Sequence, residues 1–366
     1  MDWLTVFLAV VGLVLLVSGA EVLIKGASRL AASVGVSPLV VGLTVVAFGT
    51  SAPELAVSLS SAAKGQTDIA LGNVVGSNIF NVLFILGLSA LLAPLAVSQK
   101  LLRLEVPLMI VSAALVWLLG FDGRIGRLDG ALLGAGIVAY TIFAIRQSRK
   151  ESAGIRQEYA QEFGEVPGAR GFGQSRLGQG VFILVGLAML VLGSQWLVDG
   201  AVMVARALGV SELVIGLTIV AAGTSLPEVA TSVMASIRGE RDIAVGNVVG
   251  SNIFNVLAVL GFSSALSSQG VAVSPAALGF DVPIMIAVSV ACLPVFFSGG
   301  RIARGEGALF LGYYVAYATF LILSSRAHPL VPSLTGAALW FALPLTAVTL
   351  VVVVVNELRL RRRLSR

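Results

Sequence analysis

Apolar runs long enough to cross a bilayer follow one another along almost the whole chain, separated by short polar turns. About 20 residues of helix span the roughly 30 Å hydrocarbon layer. On that measure the runs predict spans at 3–19, at 20–48 with continuation to 63, at 69–92, 102–119 and 127–146. The polar stretch RQSRKESAGIRQEYAQEFGEVPGARGFGQSR then interrupts the pattern. Further spans are predicted at 179–198, 200–236, 243–266, 279–298 and 304–324, and an eleventh at 333–355. The long second and seventh spans contain Gly and Pro and need not be straight. The pattern defines an all-α integral membrane protein. A five-helix unit occupies 1–146, a cytoplasmic loop 147–178, a second five-helix unit 179–325, an extra span 333–355 and a basic tail 356–366.

Composition agrees: 57% of residues are hydrophobic and 12% charged, against about 25% charged in soluble domains. The opening MDW lacks the basic segment of a removable leader, so the first run is expected to remain as a span. Basic residues set the orientation, because Lys and Arg accumulate in cytoplasmic loops. With the N-terminus outside and an odd number of spans, 19 of the 24 basic residues fall inside, among them Lys25, Arg29, Lys100, Arg103, Arg238, Arg241, Arg301, Arg304 and the arginines of the tail. The basic balance therefore reports orientation, and nucleic acid is not an expected partner. The expected partners are inorganic cations and the lipid bilayer, with no obligate protein partner evident. The single cysteine, Cys292, excludes a structural disulfide and a thiolate metal cluster. The single histidine, His328, beside Pro329, reads as a loop residue.

The chain repeats itself. GNVVGSNIFNVL occurs at 72–83 and again, letter for letter, at 246–257. GLTVVAFGTSAPE at 42–54 matches GLTIVAAGTSLPE at 216–228 with the same offset of 174 residues. Fainter echoes follow in RLEVPLMI and GFDVPIMI, then in GRIGRLDGAL and GRIARGEGAL. Each copy contains five spans, an odd number, so the second copy must enter the membrane from the opposite face. Such inverted repeats characterise secondary transporters, whose sites lie near midplane at the repeat interface. Bundle stability alone would preserve the apolar pattern, and has no need of Glu, Asn and Ser at matching depth.

Glu54 and Glu228 each precede a loop base, Lys64 or Arg238, by ten residues, or about 15 Å of helix. Both carboxylates belong near the membrane centre, where an ionised group is costly unless paired or holding a cation. Pro53 and Pro227 leave the carbonyls of Gly49 and Gly223 without a helical donor, and freed carbonyls at this depth can ligate cations. Gly49, Thr50, Ser51 and Glu54, with Gly223, Thr224, Ser225 and Glu228, therefore supply carbonyl, hydroxyl and carboxylate oxygens within about a turn and a half. Ser77 and Asn81, like Ser251 and Asn255, share a helix face at similar depth. The GxxxG pairs Gly72/Gly76 and Gly246/Gly250 read as packing positions, and Asn73, Asn78, Asn247 and Asn252 as hydrogen-bonding residues between helices. Asp68 and Asp242 read as N-caps, and Glu105 as a partner of Arg103, outside the site, as is Asp281. Ligands that are all oxygen favour Na⁺, Ca²⁺ or Mg²⁺, and the six to eight flexible oxygens of Ca²⁺ fit best. A formal charge of −2 is neutralised by one Ca²⁺ or by two monovalent ions, so both can compete for the carboxylates. Competition with alternating access is antiport. The chain has no HExxH or GxGD motif, which argues against a membrane protease, and a passive channel is separated from a carrier by uphill transport.

GTSAPE and GTSLPE, each followed by GNVVGSNIFN, resemble the two repeats of the Ca²⁺/cation antiporter superfamily, specifically its prokaryotic sodium/calcium exchanger branch. The likeness covers about residues 1–324 and implies a ten-helix core with one central Ca²⁺ site and flanking Na⁺ sites. It implies that Glu54 and Glu228 ligate Ca²⁺ together with the carbonyls of Thr50 and Thr224. Ser51, Ser77, Ser225 and Ser251, with the carbonyls of Ala47 and Ala221, would form Na⁺ sites, and Asn81 and Asn255 the remaining corners. The first and sixth spans, near 3–30 and 179–208, would slide to alternate access. Many members carry an acid at one of the two corners, whereas both are amides here, which bears on stoichiometry and makes K⁺ co-transport less expected. Because the proton-coupled branch favours a GN-x-x-E motif, the resemblance implies Na⁺ as counter-ion, with H⁺ or another divalent cation as the alternatives. It also implies a transporter with no cofactor, in a prokaryotic inner membrane.

Overall fold

The computed structural model describes residues 3–34, 36–150, 175–208, 221–297, 300–325 and 330–331. The expected eleventh span, the basic tail and most of the central loop lie outside the described residues. Twelve helical segments are described: α1 Trp3–Val34, α2 Pro38–Thr50, α3 Ala52–Ala63, α4 Thr67–Leu92, α5 Leu101–Leu119 and α6 Arg127–Lys150 in the first half, then α7 Arg176–Ala207, the short α8 Ala221–Gly223, α9 Leu226–Ile237, α10 Arg241–Leu266, α11 Ala277–Phe297 and α12 Arg304–Ser325. Eight are long and apolar enough to cross a membrane, and α2 with α3, bent by 46° between them, makes a ninth span. Helices are the natural outcome for such runs, since lipid offers backbone N–H and C=O groups no partner and each must be satisfied within its own segment.

The first boundary differs from expectation. The chain does not break near residue 19; α1 runs on to Val34. The polar residues that suggested a loop lie on a continuous helix, where Lys25 and Glu21 pair one turn apart at 2.8 Å. The break comes where the backbone requires it, at Ser37–Pro38, with the Ser37 hydroxyl accepting from the Val40 N–H. In the same way α7 covers Arg176–Ala207 where 179–198 was expected. Both α3 and α9 end in a left-handed glycine, Gly65 at φ 75° and Gly239 at φ 81°. The bonds from Gln66 N–H to Ser61 O and from Glu240 N–H to Ala235 O close the two turns alike.

The two halves interlock reciprocally. Strand β1, Leu95–Ala96, pairs with β4, Arg301–Ile302, and β2, Arg124–Ile125, pairs with β3, Val271–Ala272. Each two-residue ladder joins a loop of one half to the other half's loop. The long helices α1 and α7 cross antiparallel, Gly12 against Gly193 and Gly19 against Gly186. A Cβ on Gly12 would stand 2.7 Å from the Gly193 carbonyl oxygen, and one on Gly193 would stand 2.6 Å from that of Gly12. Only glycine allows this approach. Contacts in which i meets j and the counterpart of j meets the counterpart of i are those of a two-fold relation. At the centre lie α4 and α10, the most deeply buried spans, while α12 sits at the periphery. Gly246 and Gly250 pack on Leu39 and Leu43 of α2 as their spacing predicts, and the matching neighbours of Gly72 and Gly76 lie outside the described residues.

Candidate ion site

The site is made where α2 breaks. Thr50 ends one helix, Ser51 leaves helical geometry at φ −84° and ψ 10°, and α3 restarts at Ala52 with Pro53 in its first turn. The second half repeats the device at Ser225, with φ −90° and ψ 7°, before α9. Glu54 and Glu228 therefore stand in the first turn of a helix, where the backbone dipole favours negative charge. They are 0% and 1% exposed. Ser-x-x-Glu is the spacing of a capping box. Neither serine hydroxyl caps its own helix, however. Ser51 Oγ donates to Glu228 Oε1 at 2.8 Å and Ser225 Oγ donates to Glu54 Oε1 at 2.8 Å. Each half thus holds the other's carboxylate.

Only one oxygen of each carboxylate is satisfied. Glu54 Oε2, Glu228 Oε2, Asn81 Oδ1, Asn255 Oδ1 and Ser251 Oγ are buried without a hydrogen-bond partner among the described residues. Leaving one buried polar atom unpaired costs about 1–3 kcal/mol, and more for a charged group. Ser225 bridges Glu54 to Ser77, which stands one helical turn before Asn81, and unpaired oxygens of this kind are the ligands that a hard cation takes. Thr50 and Thr224 adjoin the carboxylates of the opposite half. Thr50 Oγ1 lies 3.1 Å from both Asn247 Oδ1 and the Val46 carbonyl oxygen, either of which can take its one proton. Ser77 Oγ lies 3.3 Å from Ser225 Oγ. Ala47 is fully buried, and its carbonyl accepts from Ser51 N–H at 3.0 Å. Ala221 opens α8 at the corresponding place. The Gly223 carbonyl, left without a helical donor by Pro227, accepts instead from Ser194 Oγ at 3.3 Å.

Interhelical asparagines support the cage as their positions predict. Asn73 Nδ2 donates to the Glu54 carbonyl at 3.1 Å and to Ser58 Oγ at 2.9 Å. Asn247 does the same to Glu228 and Ser232, at 3.5 and 2.9 Å. The sequence reading missed Ser58 and Ser232, although both hold the same place in the repeat. It also missed Met109 and Met285, whose sulfurs lie 3.5 Å from Asn252 and Asn78 Nδ2, and which stand at matching places in RLEVPLMI and GFDVPIMI. Two expectations are corrected. Asp68 and Asp242 are not N-caps, since Gln66 and Glu240 hold that position and the aspartates fall in the first turn. Glu105 does not pair with Arg103; its Oε2 accepts from Tyr140 at 2.7 Å, and Asp281 is matched likewise to Tyr317 at 3.2 Å.

Membrane helices in two interlocked halves, closing on a buried cage of oxygens, define a membrane cation transporter. The family model described as sodium/calcium exchanger protein matches residues 4–146 and 179–323, and the chain belongs to that family. It is a family of antiporters, and the chain is not an enzyme. Inner membrane protein YrbG of Escherichia coli is 37% identical over 318 residues, covering 86% of this chain and 95% of that protein. Sodium/calcium exchanger MaX1 of Methanosarcina acetivorans is 35% identical over 338 residues, covering 85% and 96%. Among solved structures, the sodium-calcium exchanger NCX_Mj soaked with Na⁺ and Ca²⁺ superposes with a TM-score of 0.72 at 30% identity, covering 87% of this chain and 99% of that one.

Proposed function

We propose that the chain exchanges Ca²⁺ for Na⁺ by alternating access at the cage built on Glu54 and Glu228. The observation that carries the reading is the mirrored set of buried, unpaired acceptors, Glu54 Oε2, Glu228 Oε2, Asn81 Oδ1 and Asn255 Oδ1. Two carboxylates and two amide oxygens suit one Ca²⁺. The carbonyls of Thr50 and Thr224 join them at the Ca²⁺, and Ser51, Ser77, Ser225 and Ser251, with the carbonyls of Ala47 and Ala221, complete positions on either side for the monovalent ion. The two halves lie inverted in the bilayer, which the antiparallel crossing of α1 and α7 supports. The N-terminus is outside, in a cell inner membrane, and the face carrying Lys25, Arg29, Arg238 and Arg241 is cytoplasmic. The kinship with MaX1 and NCX_Mj, both named for sodium and calcium, favours Na⁺ as the driving ion. The test is Ca²⁺ flux into liposomes holding the purified protein. An imposed Na⁺ gradient is expected to drive uphill Ca²⁺ movement. Insensitivity to Na⁺ combined with a response to a pH gradient would move the reading to proton coupling, and downhill flux alone would make the protein a channel.

A further inference from the structure

An asparagine side chain can present its oxygen or its nitrogen to the same place, and only the oxygen suits a cation. Asn81 and Asn255 are 1% and 0% exposed and turn Oδ1 away from every described hydrogen-bond donor. Something must forbid the flipped amide, which would point N–H groups into the cage.

The hydrogen bonds behind these residues do so. Asn81 Nδ2 donates to Asn252 Oδ1 at 2.9 Å, and Asn255 Nδ2 donates to Asn78 Oδ1 at 3.1 Å. A flip of Asn81 would set oxygen against oxygen. Asn252 cannot turn to accommodate it, because its own Nδ2 donates to the Asn78 backbone carbonyl at 3.3 Å and faces Met109 Sδ at 3.5 Å, and both groups can only accept. Asn78 is pinned identically by the Asn252 carbonyl at 3.3 Å and Met285 Sδ at 3.5 Å. The four amides are thus oriented in series from fixed acceptors inward, and each inner amide is set by the opposite half.

We infer that Asn78 and Asn252 are positioning residues that aim the amide oxygens of Asn255 and Asn81 at the transported cation. This rests on the proposed ion cage. Asn78 and Asn252 need not touch the ion; they decide which end of another side chain does.

The experiment uses the full chain in liposomes and reads the Ca²⁺ concentration for half-maximal exchange, the maximal rate, and the thermal midpoint of the ion-free protein. Asn252→Ala is expected to raise the half-saturating Ca²⁺ about tenfold with little change in thermal midpoint, the size expected when one ligand is misdirected. In an Asn81→Asp background the inner residue presents oxygen at both ends and sets oxygen against Asn252 Oδ1, so adding Asn252→Ala is expected to leave half-saturation unchanged or to lower it. A purely structural Asn252 would lose as much in either background, and that result, or unchanged half-saturation in Asn252→Ala, overturns the proposal. Should Asn252→Ala fold poorly, Asn252→Ser is compared across the same two backgrounds and judged by the same rescue. Glu54→Gln run alongside separates the two levels of inference. Retained Ca²⁺ exchange in Glu54→Gln overturns the cage itself, whereas its loss with a neutral Asn252→Ala overturns only the amide assignment.

Discussion

Helices α3 and α9 are the same element written twice, yet they live in different surroundings. Each starts at a Ser-x-Pro-Glu break, holds its glutamate in the first turn and is braced by an asparagine of the next helix that donates to one of its own serines. Along α9 the long helix α1 lies in contact, whereas the counterpart pair, α7 and α3, barely touches. Val57 on α3 is 37% exposed, and Thr231 at the same place on α9 is fully buried. The chemistry of the centre is symmetric and its cover is not. Under the proposed exchange, access would be set by where the crossed pair α1 and α7 rests.

The strongest attempt to break this comparison is made at its symmetric part. Glu54→Gln and Glu228→Gln are each expected to abolish Ca²⁺ exchange with the fold intact by circular dichroism and gel filtration, and a large inequality between them would refute equal roles. Next in size is the crossing. Gly193→Leu places a side chain against the Gly12 carbonyl oxygen, where even a Cβ stands 2.6 Å away. Overpacking of this kind costs about 1–3 kcal/mol, so the exchange rate is expected to fall roughly tenfold while Ca²⁺ binding, followed by thermal shift, is retained. The cover itself is read by labelling: Ala56→Cys on α3 is expected to react with an impermeant thiol reagent added outside, and Ala230→Cys on α9 to resist it from either side. Equal reactivity would mean that the difference between the two helices is not kept in the bilayer.

The smallest effect belongs to the ion pair at the foot of α1. Arg238 Nη2 lies 2.6 Å from Glu21 Oε1, tying α1 to the end of α9. Ser28 Oγ donates to Glu240 at 3.2 Å just beyond. The second half has Gln195 where the first has Glu21, so the matching tie at the other face is absent from the sequence. With Arg238 53% and Glu21 32% exposed, the pair is well solvated and weak. Arg238→Gln is expected to raise labelling of Ala230→Cys from the inner face modestly, and high salt to remove the difference between the two proteins.

Most of this architecture was legible because its signals are obligatory. A span must be long and apolar, and a repeated Glu at midplane depth is costly without a cation or a partner, so Glu54 and Glu228, with Asn81 and Asn255 at similar depth, stood out from the letters alone. The end of α1 did not, because Glu21 and Lys25 look like a loop until their pairing along one helix face is seen. Nor did the crossing of the serines. Ser51 and Glu54 read in sequence as oxygen donors of one cluster, and only the packing of the two halves reveals that Ser51 serves Glu228. Methionines 109 and 285 were silent for another reason: a thioether in an apolar run reads as packing until an amide is seen to point at it.

The two-residue strands set a schedule for the molecule's birth. In β1, Leu95 waits for Ile302, made 207 residues later. At about 5–20 residues per second, synthesis leaves the first half in the bilayer for roughly 10–40 s before its ladder can close. For most of that time, until Ser225 is made 171 residues after it, Glu54 lacks the hydroxyl that will hold it. Such a half is an unfinished tenant of the membrane, which only its own sequel can complete.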